Sequence, residues 1–305
     1  MLQGFHICRQ FRLPLSLYRK IAFQLLSQTA NRLTKWKLPG IFDLFLAEIF
    51  NHLLKSSSYR YYTLFLNAVA HYQHHYWRHF ESDLFHRSVK SPDCRLTDDP
   101  MTYGYELYDR TIQLAIELAK DPQTLVIIAS GLSQEPFTQK EHEGGMNYYR
   151  LYHHVELMKK MDLTHYRVLP LMSRDWQIEA IDGADLNQAG KMLSQLTVLN
   201  QPLFNITQNT KQSLFIETAV TQSLPVDAMI LHQGQPIGLF KDYFHHIAVK
   251  SGHHKGTGCL WLSQRPQEVI NSSAIPLTQL YPLTLAAFGI TSLHQGVPQV
   301  LQYAG

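Results

Sequence analysis

The sequence predicts an α/β fold with a mostly parallel sheet flanked by helices and with a small α+β subdomain inserted into it. A strand at residues 61–66, a helix at 105–118 and a strand at 124–130 follow one another, an order typical of parallel strands joined by helical crossovers. From residue 166 to 240 the pattern changes to short alternating strands. We therefore expect a helical segment with the first part of the core at 1–165, the subdomain at 166–244, and the rest of the core at 245–305.

Composition restricts the class of protein. The chain has 305 residues, 45% of them hydrophobic, and a net charge of +3 without a basic stripe, so a nucleic-acid partner is not expected. The cysteines, Cys8, Cys94 and Cys259, are too few and too far apart for a disulfide framework or a thiolate zinc site. This cysteine usage favours a reducing compartment and hence a cytoplasmic protein.

No apolar run approaches the roughly 20 residues of a membrane span, so no transmembrane segment is predicted. The first twenty residues contain Arg9, Arg12 and Arg19, which interrupt their apolar residues. They therefore lack the continuous hydrophobic centre of a secretory signal.

Two amphipathic helices are predicted in residues 1–58, separated by a break at Lys37 to Gly40, where Pro and Gly are adjacent. The aromatic and apolar run from Tyr61 to Leu66 is typical of a buried strand. The helix at 105–118 ends at Asp121-Pro122, and the apolar run at 124–130 follows as the next buried strand.

The second half of the chain contains a Gly-Gly loop and a helix within residues 139–163, and then the subdomain with one helix at 184–196. A glycine-rich turn at 251–258 leads into a strand at 259–263. The last predicted helix covers 277–290, with Pro282 in its first turn and Gly289 at its end.

The predicted metal ligands follow the ends of these strands. Asn67 and His71 come directly after the run at 61–66, and His254 lies in the turn SGHHKGTG. Imidazoles together with an amide or carboxylate are ligands for zinc, manganese or iron. Further candidate ligands are His74 and His75, which follow His71, Gln134, which follows the strand at 124–130, and His253, which lies in the turn. The competing interpretation is an amphipathic helix and a Gly-rich hairpin with purely structural histidines.

Two cations are candidates for binding an anionic substrate. Lys255 follows the histidines of the turn, and Arg174 lies at a strand junction in the subdomain. For Arg174 the alternative is a surface ion pair with Asp175.

The order of these motifs resembles the alkaline phosphatase superfamily, and within it the type I phosphodiesterase and nucleotide pyrophosphatase branch. NAVAH at 67–71 stands where that branch has Asp-x-x-x-His, and LVIIASGL at 125–132 stands where a strand ends in Ser-Asp-His. SGHHKGTG at 251–258 corresponds to the family's His-containing turn, and LTQLYPLTLAAFGI at 277–290 is similar to its closing helix. The resemblance covers residues 59–134 and 245–290.

The resemblance implies two metal ions, usually zinc or manganese, that clamp a phosphate attacked by a Thr or Ser. This sequence departs from the pattern at three points: Asn67 replaces an Asp, Gly131 and Leu132 replace an Asp and a His, and the strand with the nucleophile would precede residues 1–58. Three alternatives remain open at this stage: a shortened chain, a diverged member without catalysis, or a site rebuilt from His74, His75 or Gln134.

The sequence thus predicts a metal-dependent phosphodiesterase or nucleotide pyrophosphatase homologue that hydrolyses a small-molecule phosphate ester, with a divalent cofactor, zinc or manganese. The alternative is a non-catalytic binding or scaffolding protein of the same fold.

Overall fold

A computed structural model gives the fold for residues 15–30, 32–85, 97–171, 174–264 and 274–290. In these residues the α-helices are Leu15–Ala30 (α1), Leu38–Ser56 (α2), Ala68–Phe80 (α3), Pro100–Leu118 (α4), His154–Lys160 (α5), Leu186–Ser194 (α6), Phe240–Tyr243 (α7) and Leu280–Ala286 (α8). Short 3₁₀ helices lie at Arg32–Lys37, Ser82–Leu84 and Leu277–Gln279.

The strands in the same residues are short. They are Ile127–Ser130 (β1), Ser133–Pro136 (β2), Asn147–Leu151 (β3), Tyr166–Pro170 (β4), Asp175–Ala180 (β5), Leu196–Val198 (β6), Gln201–Pro202 (β7), Phe204–Thr210 (β8), Ser213–Thr218 (β9), Met229–His232 (β10), Gln235–Leu239 (β11), Phe244–Val249 (β12), Gly252–Lys255 (β13) and Cys259–Leu262 (β14).

The predicted mostly parallel sheet is wrong, and with it the alkaline-phosphatase-like core. Across the described residues the strands form five small sheets, and every strand pair is antiparallel. The orders are β1-β14, β11-β10-β6-β7, β12-β3, β13-β2 and β4-β5-β9-β8.

The run at 61–66 shows why the prediction failed. It forms no strand and no helix, and Phe65 is 76% exposed. The second predicted core strand is present as β1, but it pairs antiparallel with β14 from the far end of the chain. A short apolar run carries no information about the direction of its partner, so two such runs around a helix cannot establish a parallel sheet.

The chain divides into two compact units. The first consists of residues 1–80, 92–136 and 252–305, and the second of residues 81–91 and 137–251. The candidate metal ligands Asn67, His71, Gln134 and His254 belong to the first unit. The candidate substrate-binding residue Arg174 belongs to the second.

The first unit packs its helices around aromatic side chains. Tyr72 of α3 is fully buried, and its hydroxyl accepts a hydrogen bond from the backbone N–H of Gly40 at 2.9 Å. A Cβ atom at Gly40 would lie 2.7 Å from that hydroxyl oxygen, so glycine is required for this close approach. The predicted break at 37–40 is therefore the beginning of α2, with Pro39 in its first turn.

The second unit has one hydrophobic core between its two four-stranded sheets, helices α5 to α7, and β3 with β12. Trp176, Ile178 and Ile216 are fully buried there. The short strands predicted for 166–240 agree with β4, β5 and β8 to β11, whereas β6 and β7 were not predicted. The helix predicted at 184–196 is present as α6, and β6 begins at Leu196, within the predicted range. The helix predicted within 139–163 is shorter than expected, because residues 147–151 form β3 and pair with β12.

The predicted helix at 105–118 is confirmed as α4, which begins at Pro100 and is capped by Asp99 through the N–H of Thr102. The last predicted helix is present as α8, and Gly289 follows it with a positive φ of 69°. Among the described helices, none combines the length and the apolar character needed to cross a membrane.

Candidate functional site

The candidate site lies where helix α3 packs against the hairpin of β2 and β13, all within the first unit. The chain places histidines on both elements: His71, His74 and His75 on α3, and His253 and His254 on β13. Helix positions three and four residues apart share a face, so His74 and His75 both project from the side of the helix that carries His71.

Helix α3 is fixed at its beginning by a buried carboxylate from α2. Asp43 Oδ2 accepts hydrogen bonds from the backbone N–H groups of Asn67 at 2.9 Å and Ala68 at 2.6 Å, and from the hydroxyl of Tyr108 at 2.7 Å. A carboxylate on the free N–H groups of a helix terminus stabilises the helix. Sequence analysis gave this residue no role; the signal was an acid, one of only two in α2, between apolar residues.

The hairpin is held against α3 by a very close backbone approach. Gly252 is buried, and a Cβ atom there would lie 2.4 Å from the carbonyl oxygen of Gln73. Only glycine therefore allows β13 to lie this close to the helix.

The register of the hairpin sorts its side chains onto two faces. His254 pairs with Gln134, and His253 pairs with Glu135. Because successive side chains of a strand point to opposite faces, His254 and Gln134 share the face toward α3, and His253 and Glu135 share the other face.

The central contact joins His74 and His254. Their Nε2 atoms are 2.9 Å apart, and their ring centroids are 4.7 Å apart. Two imidazole nitrogens at this distance either share one proton or are in position to bind one cation. The two segments are 180 residues apart in sequence, so the contact depends entirely on the fold.

The protonation of His74 is set by its second nitrogen. His74 Nδ1 lies 3.1 Å from the carbonyl oxygen of Gly252, which can only accept, so Nδ1 carries the proton in the neutral ring. Nε2 of His74 then carries a lone pair and accepts a hydrogen bond, and Nε2 of His254 carries the proton and donates it. A histidine that donates one N–H to a backbone carbonyl and presents the other nitrogen is typical of metal ligands.

Gln134, the register partner of His254 on β2, carries its amide on the same face of the hairpin. Its Nε2 donates to the carbonyl of Ala70 at 3.0 Å, one helical turn before His74. Its Oε1 is shielded from solvent and has no hydrogen-bond partner within the described part of the chain. A buried carbonyl oxygen without a donor is costly, and a cation would satisfy it.

This donor set fits a divalent transition metal. It consists of two imidazole nitrogens and one amide oxygen, which are suitable ligands for zinc or manganese. Two nitrogens bound to one tetrahedral zinc at ~2.0–2.1 Å lie about 3.4 Å apart, so the observed pair would need to open by about half an ångström. No group of three or more His, Cys, Asp or Glu side chains arranged to hold a metal occurs in the described residues.

The opposite face of the hairpin holds a separate charged group. Glu135 contacts His253 Nε2 at 3.0 Å and Lys255 Nζ at 3.4 Å. The hydrogen bond from Lys255 is the largest of the effects that lower the pKa of Glu135. Lys255, predicted to bind substrate, therefore lies with Glu135 on the face away from His254.

The other predicted ligands lie nearby on α3. The ring of His71 packs on His75 at 4.5 Å, and Asn67 is exposed directly before the helix. Burial, followed by the neighbouring His71 and His74, lowers the pKa of His75 to about 3, so this imidazole is neutral at physiological pH. The partner that the structure gives His254 is His74, one turn further along α3 than His71.

No protein-family model, curated protein or solved structure matches this chain. The geometry of the site and the order of the sequence motifs are thus the basis for assigning a function.

Proposed function

We propose that this protein binds a divalent metal ion, zinc or manganese, at His74, His254 and Gln134, and that it hydrolyses a phosphate ester with it. The observation that carries the proposal is the 2.9 Å approach of the two Nε2 atoms from distant segments. The fixed tautomer of His74 and the unpaired oxygen of Gln134 support the same site.

The residues of the chain have separate tasks in this proposal. Gly252 orients His74 through its carbonyl group, and Ala70 orients the amide of Gln134 so that Oε1 is directed away from the helix backbone. His254 has to transfer its proton from Nε2 to Nδ1 before Nε2 can act as a ligand. The metal, when bound, supplies a Lewis acid for a phosphate oxygen and lowers the pKa of a bound water.

The phosphate ester is proposed from the order of the motifs and not from the fold. NAVAH and SGHHKGTG, which resemble two of the metal-binding motifs of phosphodiesterases, belong to the α3 and hairpin region of the same unit, and SGHHKGTG contains His254. A metal ion is the feature of such enzymes that stabilises the charge developing on the transferred phosphate.

The test is a melting curve of the whole protein with chelator, with zinc and with manganese. A ligand that binds only the native state at 100 times its Kd raises the free energy of unfolding by about 2.7 kcal/mol. We expect metal to raise the Tm of the wild type and of His253→Ala, and to have no effect on His74→Ala or His254→Ala. His253→Ala is the matched control, because it removes the neighbouring imidazole on the opposite face.

A second experiment measures the hydrolysis of a chromogenic phosphodiester by the metal-loaded protein. We expect turnover in the wild type and His253→Ala, and loss of turnover in His254→Ala. An identical Tm with chelator and with either metal would show that the protein has no metal site of this kind. A metal-stabilised protein without turnover would leave the metal site and exclude the hydrolase.

A second candidate, a non-catalytic binding or scaffolding protein, is favoured by one observation. In the described residues no carboxylate completes a cluster of three ligands at the histidine pair. If the protein is such a binding or scaffolding protein, the hydrogen bond between His74 and His254 is purely structural. Chelator should then leave the Tm unchanged.

A further inference from the structure

The second unit contains a group of half-buried charges around Tyr148 that the proposed metal site does not involve. The guanidinium of Arg174 lies over the Tyr148 ring, 5.2 Å from its centroid, and Nη2 donates to Glu217. The Arg174 side chain is only 16% exposed, whereas that of Arg167, in a second Arg-Glu pair of the same sheet, is 65% exposed.

Two atoms of this group have no hydrogen-bond partner among the described residues. Arg174 Nη1 is a buried donor without an acceptor, and Asp175 Oδ1 is a buried acceptor without a donor. Asp175 and Glu217 are register partners on β5 and β9, so both carboxylates and the guanidinium lie on one face of the sheet. Unpaired buried groups of both kinds at one place indicate a ligand with both an acceptor and a donor.

Lys250 brings a second cation to the same group. Its Nζ lies 4.4 Å from the ring centroid of Phe137 and 6.0 Å from that of Tyr148. Both cations thus lie within 6.0 Å of the centroid of one ring, and the pKa of Lys250 is lowered by burial and then by the positive charge of Arg174. An anion between two half-buried cations would relieve this repulsion.

We propose that Arg174, Lys250 and Asp175 form a binding site for hydrogen phosphate. Two cationic donors match the phosphate oxygens, and a guanidinium with one free edge suits a tetrahedral oxyanion. The acceptor Asp175 Oδ1 matches the proton that phosphate retains near pH 7. Sulfate has the same shape and no proton at that pH, so the site discriminates between the two ions.

Glu217 and Asp175 are the negative charges that such an anion meets. Glu217 is engaged with Nη2 of Arg174, which leaves Nη1 for the ligand. Burial, followed by Glu217, raises the pKa of Asp175, so its carboxylate is a stronger acceptor for the proton of hydrogen phosphate. The site lies within the second unit, so it stands whether or not the histidine pair binds a metal.

The test measures binding of inorganic phosphate and of sulfate to the whole protein at pH 7 and equal ionic strength, by calorimetry in the presence of chelator. We expect the wild type to bind phosphate at least ten-fold more tightly than sulfate. Arg174→Gln and Lys250→Gln should each weaken phosphate binding at least ten-fold, whereas Arg167→Gln, the exposed counterpart, should bind as the wild type does.

The Asp175→Asn variant distinguishes a site specific for hydrogen phosphate from a positively charged surface that binds any anion. An amide can donate to sulfate, so this variant should lose the preference for phosphate and bind both ions about equally. Lys250→Gln leaves the Arg174-Glu217 pair intact, so it tests the site even if Arg174→Gln fails to fold. Equal binding of phosphate and sulfate by the wild type, or equal behaviour of Lys250→Gln and Arg167→Gln, would overturn the proposal.

Discussion

His154 is a buried histidine whose protonation couples the second unit to pH. It begins α5, is 8% exposed, and packs edge-on against Trp176 with 5.3 Å between ring centroids. Burial is the main cause that lowers its pKa, Arg150 and His153 act in the same direction, and the backbone of Tyr152 and Glu156 oppose them. The native protein therefore keeps this imidazole neutral at a pH where the unfolded chain charges it.

We predict that His154 makes the protein less stable in mild acid. The unfolded residue titrates near pH 6.5, so its contribution to stability is complete above that pH and is lost as the pH falls toward the lower folded pKa. One such group can change the free energy of unfolding by at most about 1.4 kcal/mol per pH unit. His154→Phe, which keeps the aromatic contact, should show a smaller decrease than the wild type.

The measurement is urea unfolding in chelator between pH 7.5 and 5, followed by tryptophan fluorescence. His245→Phe is the control, because His245 is exposed and stacks on Tyr152 in the same unit. The shared contribution of His246, whose pKa is also lowered by burial, cancels in the comparison. Parallel pH profiles for His154→Phe and the wild type would contradict the prediction.

The hairpin of β2 and β13 depends on one glycine for its position against α3. A Cβ at Gly252 would meet the backbone of Gln73, which cannot rotate away, and would approach the Trp77 ring at 3.0 Å. The hairpin would have to move outward, and it carries both the His254 ring and the carbonyl that orients His74.

We predict that Gly252→Ala destabilises the protein by about 1–3 kcal/mol and removes its response to zinc. The control is Gly256→Ala, since a Cβ at Gly256 meets nothing within 4 Å, and we expect it to change stability by less than about 0.5 kcal/mol. Thermal melts of both variants with zinc and with chelator make the comparison. A Gly252→Ala protein that still gains stability from zinc would show that the close approach is not needed for the site.

Local elements were more predictable than their partners. Helix α4 and most strands between residues 166 and 240 could be predicted from hydrophobic periodicity and from the Pro, Asp and Gly residues at turns and helix ends. These signals act over a few positions. The pairing of β1 with β14 and of β3 with β12 depends on segments about a hundred or more residues away, for which the sequence contains no local signal. The predicted parallel direction of strand pairing was therefore wrong, although β1 and α4 were predicted at the right positions.

The same limit applies to the candidate site. Sequence reasoning selected the histidines at 71, 74 and 75 and the turn with His254, but it did so from the end of a supposed strand at 61–66 and not from a helix face. Which of the three meets His254 depends on the rotation of α3 against the hairpin, and this is fixed by Gly252 and by the cap from Asp43. Neither contact is visible in a single sequence.

On the scale of the whole molecule, the two proposed ligands bind in different units of one chain. His74, His254 and Gln134 belong to the first unit, and Arg174, Asp175 and Lys250 to the second. Hydrogen exchange can separate them, since a bound ligand slows the local opening of the elements that hold it.

We predict that zinc slows amide exchange in α3, β2 and β13 and leaves β5 and β9 unchanged, whereas phosphate does the reverse. Exchange measured by mass spectrometry on the whole protein, with each ion alone, gives both patterns. The His254→Ala and Lys250→Gln variants should each lose one pattern and retain the other. Protection by zinc in β5 or β9 would place its binding outside the histidine pair.

For the longer of its two excursions, residues 137–251, the chain leaves the first unit and returns to it through neighbouring positions. Pro136 and Gly252 are register partners, and the next residues, Phe137 and Ser251, are joined by a backbone hydrogen bond of 2.9 Å. A segment whose two ends already touch can be lengthened, shortened or exchanged as a cassette, with little entropic cost at the junction. Evolution could thus have altered everything between these two positions while the imidazole pair stayed in register.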